Sequence, residues 1–250
     1  MTERRTDDCR CLDEGEEYEE PVESTSFHAE RQDPTAPGWL RLLELVEEAA
    51  ADRRELFEPL RELSNEQRRQ IVTLPPSIAR LTAVKHLSLY GSNLVRIPPE
   101  IGAMAGLEEF TPYTSYRLHW FPYELTRCPA LKRSTVSTRA LYGNRKYRPP
   151  FPELSRAEAA DLADLADLDP GRRGATAIRS CSVCDGPVAA ADLRQVWISL
   201  RTSSADVLPL LVNACSAQCV EALPTPPEGY LRQPHTGGPR LLQPAAGYRG

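Results

Sequence analysis

The sequence lacks the residue patterns of the common enzyme classes. Its 250 residues include four histidines, His28, His86, His119 and His235, which lie far apart and form no ligand pair. No Ser–His–Asp arrangement, phosphate-binding loop or dinucleotide fingerprint is present. We therefore expect a protein that is not an enzyme.

Long apolar runs are also missing. No stretch of about 18 apolar residues occurs, so the sequence predicts no membrane-spanning helix. Residues 1–30 are acidic and lack the apolar centre of a secretory signal, which favours a cytoplasmic protein. In that compartment the seven cysteines are better interpreted as thiols or metal ligands than as disulfides.

Proline is plentiful, and the 23 proline residues predict long irregular segments. The hydrophobic content of 41% is nevertheless enough for a packed core. Residues 1–37 are poor in aliphatic side chains and carry most of their charge as Asp and Glu, which predicts a disordered acidic tail. Residues 224–250 are rich in Pro and Gly and are predicted to be an extended or disordered tail.

One apolar frame recurs about every 23 residues between Leu74 and Asn144. Leu74-Pro75, Ile97-Pro98 and Phe121-Pro122 mark its units. The aliphatic positions that follow them are Ile78, Leu81 and Val84, then Ile101, Met104 and Leu107, then Leu125, Cys128 and Leu131. Units of this kind must stack, because neither a single strand nor its return can bury its apolar side alone.

The segment from Val84 to Met104 reads V-x-x-L-x-L-x-x-S-x-L-x-x-I-P-x-x-I-G-x-M, which resembles the leucine-rich repeat in its 23-residue form. The resemblance implies an α/β fold with a short leucine-rich repeat solenoid over residues 74–148. One unit matches the repeat pattern fully and two match it only in part, since Ser134 and Asn144 stand where aliphatic residues are expected.

Residues 38–73 are predicted to form a helical cap over the open end of the solenoid, with a partner-binding helix as the alternative. Apolar residues from Leu40 to Ala50 recur at helical spacing. A second helix is predicted over Arg53 to Leu63, kinked or begun at Pro59. Ser64 and Gln67 then form a capping box that opens a third, short helix through Ile71 and Val72.

In leucine-rich repeats the strand residues that alternate with the buried ladder line a concave binding surface. The resemblance places on that surface His86, Ser88 and Tyr90 of the first unit, Glu109, Thr111 and Tyr113 of the second, and Arg133 and Thr135 of the third. Such a face suits a protein or peptide partner through hydrogen bonds and aromatic contacts. A merely solvated face is the alternative.

Seven basic and no acidic residues lie between Arg127 and Arg148, and Arg139, Arg145, Lys146 and Arg148 form the predicted basic patch. Such a patch is typical of nucleic-acid contact. The chain as a whole has a net charge of −5, so nucleic acid is the less favoured partner.

Residues 149–178 are predicted to be a helix and linker. Ser155 and Glu158 open a helix through Leu168 whose regularly spaced aspartates are interpreted as a solvated stripe. Residues 170–174 end that helix and mark a domain boundary.

Two close cysteine pairs give the sharpest chemical signal: Cys181 with Cys184, and Cys215 with Cys219. Four thiolates suit a tetrahedral zinc ion. A hairpin is predicted between the pairs, from Leu193–Leu200 and Val207–Val212. A redox dithiol is the alternative for the first pair, although no strand–helix–strand unit surrounds it.

Residues 179–223 resemble a treble-clef zinc finger, because a cysteine loop is followed by a hairpin and then by a second cysteine pair at the start of a helix. The resemblance implies a small α+β domain with Zn²⁺ as a structural cofactor, because four protein ligands leave no position for water. His235 is a remote substitute ligand.

Together these features favour a non-catalytic protein–protein interaction module with a leucine-rich repeat face and a zinc finger as its second unit. The alternative is a nucleic-acid-binding or regulatory protein that uses the finger and residues 127–148.

Overall fold

The computed structural model describes residues 24–146, 148–154, 164–204 and 206–245. Most of the predicted acidic tail, residues 1–23, and the start of the predicted helix, residues 155–163, lie outside these ranges. The fold is α/β, with one parallel and one mixed sheet. No helix in the described ranges has the length and apolar composition needed to cross a membrane.

The strands in chain order are β1 (Leu56–Phe57), β2 (His86–Ser88), β3 (Glu109–Thr111), β4 (Phe121–Pro122), β5 (Arg133–Ser134), β6 (Arg194–Arg201) and β7 (Val207–Ala214). The α-helices are α1 (Pro37–Ala51), α2 (Asn65–Arg69), α3 (Pro170–Arg173) and α4 (Ala217–Glu221).

The parallel sheet has the strand order β1-β2-β3-β5. His86 pairs with Glu109, 23 residues later, and Glu109 pairs with Arg133, 24 residues later. Each return contains one 3-10 turn, at Pro76–Arg80, Pro99–Ala103 and Tyr123–Arg127. A proline precedes each turn in extended conformation, because its ring fixes φ near −70° and its missing N–H is not needed there.

The apolar positions of the frame meet in one continuous core. Ile78, Ile101 and Leu125 are each 0% exposed, and the same cluster extends from helix α1 to strands β6 and β7. Leu131, in the third unit, is only partly buried. Stacking therefore covers the apolar side of each unit with that of its neighbour.

The helix predicted over Arg53 to Leu63 is wrong. Leu56 and Phe57 form strand β1, which pairs with β2, and Pro59–Glu62 forms a 3-10 turn. The carbonyl of Glu55 accepts hydrogen bonds from the amides of Lys85 and His86. Sheet pairing and burial of Phe57 thus override the local helical pattern, which Pro59 already interrupts.

Two other helix predictions are confirmed. Helix α1 buries Leu42, Leu45 and Val46 against the core. Helix α2 has a complete capping box, with the Ser64 side chain accepting from the amide of Gln67 and the Gln67 side chain accepting from the amide of Ser64. Helix α2 ends at Arg69, earlier than predicted.

The predicted disordered tail is wrong for residues 24–36, where Phe27 and His28 are buried. Phe27 packs against Trp120 and Trp197, whose rings also contact each other. The buried guanidinium of Arg96 donates to the carbonyls of His28 and Glu30 and to that of Gly174, which fixes this irregular backbone. Burial lowers the pKa of Arg96 to about 10.

The second sheet joins the cysteine region to the repeat-like units. Strands β6 and β7 form the predicted antiparallel hairpin, and β4 pairs in parallel with β7 through Phe121 and Leu210. At the hairpin tip, the amide of Ser204 donates to the carbonyl of Lys132 beside strand β5. The hairpin therefore covers the last edge of the parallel sheet.

The structure corrects the predicted end of the helix within residues 149–178 and adds detail to the predicted C-terminal tail. Residues 164–168 form a turn and not the end of a helix, because the Asp164 side chain accepts from the amide of Ala166. Residues 224–245 are irregular, and part of the segment is anchored: His235 pairs with Trp197 through main-chain hydrogen bonds, and the amide of Gly238 donates to the carbonyl of Phe151.

The buried ladder gives a direct test of this architecture. We expect Leu107→Asp to destabilise the protein by about 3 to 5 kcal/mol, because it places an unpaired charge at a position that is 0% exposed. Urea unfolding followed by circular dichroism measures the change. The control Ser88→Ala, on the outward side of β2, should change stability by less than about 0.5 kcal/mol. Equal stability of the two variants would contradict the inward placement of Leu107.

Candidate metal centre

The first cysteine pair lies in a tight loop. The amide of Cys181 donates to the carbonyl of Gly186, and the amide of Asp185 donates back to the carbonyl of Cys181. Ser182 exchanges hydrogen bonds with Asn213 at the end of β7. These bonds hold the loop against the strand that leads into the second pair.

The second pair spans the start of helix α4. Ser216 is its N-cap, and the Ser216 hydroxyl accepts from the amide of Cys219. The helix begins at Ala217, so Cys215 precedes the cap and does not begin the helix as predicted. The cap turns the chain so that Cys215 and Cys219 face the first pair.

The four sulfur atoms of Cys181, Cys184, Cys215 and Cys219 all lie within 4.8 Å of one another. The Cys215 sulfur is 3.6 Å from those of Cys184 and Cys219. Metal–sulfur bonds of about 2.3 Å in a tetrahedron place sulfur atoms about 3.8 Å apart, whereas a disulfide needs about 2.05 Å. The group therefore has the size of a metal site, and the four thiols are free of disulfide bonds.

Backbone amides favour negative charge on the buried sulfur. The amides of Val183 and Cys215 each lie 3.4 Å from the Cys181 sulfur. Burial raises the pKa of Cys181, but amide hydrogen bonds from Cys184, Val183 and Cys215 outweigh it and bring the pKa to about 7. Hydrogen bonds with the other cysteine sulfurs raise the pKa of Cys215 to about 12, and the bond with Cys219 has the largest effect. A cation between the four sulfur atoms would stabilise all of them as thiolates.

Several contacts around the loop were not foreseen from the sequence. Arg127, at the end of the 3-10 turn that follows β4, donates to the carbonyls of Cys181 and Ser182 and pairs with Asp185. Burial raises the pKa of Glu124, which contacts the Ser182 side chain. No local spacing signals these partners, because they lie more than fifty residues away in the chain.

His235 lies apart from the cysteine group. Its ring packs edge-on against Phe151, and its Nδ1 accepts from the amide of Gly237. Its backbone pairs with that of Trp197 on β6. His235 therefore fastens the C-terminal segment to the second sheet.

The predicted partner-binding residues lie on one side of the parallel sheet. Tyr90 and Tyr113 are 60% and 45% exposed, with ring centroids 6.0 Å apart. His86 hydrogen-bonds to the Thr111 hydroxyl across the strands. Ser88 is half-buried, Arg133 and Thr135 are exposed, and Arg133 pairs with Glu109 at 2.6 Å. The structure thus brings these residues into one surface, which we call the tyrosine face.

Two matched turns present the tyrosines. Gly91 and Thr114 follow Tyr90 and Tyr113, and both have left-handed backbones, with φ of 68° and 59°. A β-branched residue rarely adopts this conformation, so Thr114 is strained where the neighbouring unit uses glycine. The two turns thus have the same backbone conformation at the residue after each tyrosine.

The predicted basic patch is partly occupied by the protein itself. Arg148 donates to the carbonyls of Gly143 and Gly229 and lies over the ring of Tyr230. Lys132, within the same basic segment, pairs with Glu108. Arg139, Arg145 and Lys146 are exposed. Fewer charges are therefore available to a phosphate backbone than the sequence suggests.

No protein-family model matches the chain, and no curated protein matches its sequence significantly.

The half-buried His235 predicts a specific pH dependence. Burial lowers its pKa from 6.5 to about 4, so the unfolded chain binds this proton more readily than the folded protein. Its contribution to stability is complete above pH 6.5 and is lost as the pH falls towards 4. We expect His235→Asn, which keeps an acceptor for Gly237 but does not titrate, to show a smaller loss in this range. Urea unfolding across the pH range tests this, and parallel curves for the two proteins would contradict it.

Proposed function

We propose that this chain is a non-catalytic protein-interaction module in which a short array of leucine-rich repeat type binds an extended peptide on the tyrosine face. A structural zinc ion at the four cysteines holds the hairpin that closes the array. The observation that carries the proposal is the exposed pair Tyr90 and Tyr113 on a surface whose charged residues, Glu109 and Arg133, pair with each other.

The repeat assignment is supported by the 23- and 24-residue registers of the parallel strands. It is also supported by the buried Ile78, Ile101 and Leu125, which occupy the same place in successive units. Strand β1 adds a further unit on the N-terminal side, with helix α1 beyond it as the cap.

Zinc is supported by the donor set. Four cysteine sulfurs without carboxylate or imidazole ligands favour a thiophilic ion in tetrahedral geometry, which is the usual arrangement of structural zinc. With all four positions taken by protein, the ion would stabilise the loop and helix α4 and would not activate water.

The tyrosine face favours a protein partner over nucleic acid. Charged residues along the strands neutralise one another, since Glu55 pairs with Lys85 and Glu109 pairs with Arg133. Binding would then depend on aromatic area and on hydroxyl hydrogen bonds, which suit an extended peptide backbone. Residues of the basic patch would add only a salt-sensitive contribution.

Metal analysis tests the zinc assignment. We expect one zinc per chain in protein purified under reducing conditions without chelator, because a four-thiolate site binds zinc tightly. Cys184→Ser should lower the zinc content sharply, since it removes one ligand. Cys128→Ser is the matched control, because Cys128 is buried elsewhere and donates to the carbonyl of Ile101. Zinc near zero in the unmodified protein, or equal zinc in both variants, would reject the site.

Selection from a random peptide library displayed on phage tests the binding face. We expect peptides selected on the intact protein to lose at least about tenfold in affinity for Tyr90→Ala, the size of loss expected at an aromatic anchor. Their affinity should change little with salt, whereas phosphate contacts weaken steeply. Tyr116→Ala, also an exposed tyrosine but outside the ring pair, is the control. Peptides that bind the Tyr90 and Tyr116 variants equally well would contradict the assignment of the face.

A further inference from the structure

The loop that carries the first cysteine pair is docked on the returns of the second and third units. Arg179 pairs with Glu100 in the Pro99–Ala103 turn at 3.2 Å. Arg127, in the Tyr123–Arg127 turn, reaches the loop from the next unit. The sulfur of Cys181 is fully buried in the same core as the repeat ladder. The loop therefore packs on the repeat-like units as well as carrying two of the four cysteines.

Arg127 makes the most specific of these contacts. Its Nη2 donates to the carbonyl oxygens of Cys181 at 3.0 Å and Ser182 at 2.9 Å, and its Nη1 lies 3.1 Å from the Asp185 carboxylate. Asp185 in turn accepts from the Ser180 hydroxyl and has a left-handed φ of 60°. One planar guanidinium thus fixes both ends of the turn between Cys181 and Cys184 with donors on two nitrogen atoms, a rigid fork that an ammonium group lacks.

The rest of the array offers a comparison. Arg80 ends the Pro76–Arg80 turn of the first unit, as Arg127 ends the Tyr123–Arg127 turn of the third. Arg80 is exposed and pairs with Glu47 of helix α1. The equivalent position therefore holds a surface ion pair in one unit and a contact with the metal-site loop in the other.

We propose that Arg127 is a positioning residue of the metal site, so that metal binding and docking of the cysteine loop on the third unit stabilise each other. The proposal rests on the metal site proposed above. Partners that orient metal ligands without touching the metal commonly change its affinity by about 10- to 100-fold. Reciprocal coupling follows, because a ligand that favours the docked loop must itself be favoured by it.

The test is a competition titration of the full chain with zinc and a chromophoric chelator, together with the visible absorption of the cobalt(II) form. We expect Arg127→Ala to lower zinc affinity by about tenfold or more and to alter the cobalt spectrum. Arg127→Lys should fall between Arg127→Ala and the unmodified protein, because it keeps the charge but not the fork of donors. Arg80→Ala should match the unmodified protein in both measurements.

Amide hydrogen exchange supplies a second measurement. It distinguishes a positioning role of Arg127 from a general contribution of Arg127 to stability. Zinc should slow exchange in residues 121–128 of the unmodified protein, and this protection should be lost in Arg127→Ala. If Arg127→Ala does not fold, Asp185→Asn decides the question, since it removes the carboxylate but tolerates the left-handed backbone. That variant should then weaken zinc binding.

The outcomes separate the two proposals. An unmodified protein that binds neither zinc nor cobalt rejects the metal site, and the coupling with it. A protein that binds zinc with the same affinity, spectrum and exchange pattern in the Arg127 and Arg80 variants keeps the metal site but overturns the role of Arg127.

Discussion

The fold depends on mutual burial between neighbouring units of the parallel sheet. Each strand of this sheet has only two or three residues, so its hydrogen bonds cannot hold it alone. Each fully buried aliphatic side chain, such as Ile78 or Ile101, contributes about 1.5 to 3 kcal/mol. Because that contribution requires a neighbour on both sides, the first and last units need covers. Helix α1 covers the first unit, and the hairpin of β6 and β7 covers the last.

The far end of the sheet is closed by polar contacts. Ser134 occupies an inward position of strand β5, and its hydroxyl lies 2.6 Å from that of Ser203 and 3.2 Å from the Asp206 carboxylate. Burial raises the pKa of Asp206. A further unit stacked on this strand would separate the Ser134 hydroxyl from Ser203 and Asp206. The departure of Ser134 from the aliphatic frame therefore marks where the array stops and the hairpin begins.

The sequence predicted features whose signals are local or periodic. The aliphatic ladder, the Ser64 capping box, the hairpin and the closeness of the four cysteines all belong to this kind. Strand β1 was missed because its identity depends on His86, thirty residues later, and not on its own pattern. Order at Phe27 was missed because it depends on contacts with Trp120 and Trp197, which come together only in the folded protein. Arg127 was interpreted by charge alone, and its partners could not be found without the loop geometry.

The repeat-like units and the cysteine group were predicted as separate domains, yet they share one core and one sheet. The cysteine loop contacts the returns through Arg127 and Arg179, whereas Tyr90 and Tyr113 extend from the ends of strands β2 and β3. The cysteine loop and the tyrosine face thus lie on different parts of the repeat-like units. A metal ion would then strengthen the array from the side of its returns and leave the tyrosine face open. The shared core connects the cysteine loop with the units that carry Tyr90 and Tyr113. A change in the loop would therefore change the stability of those units.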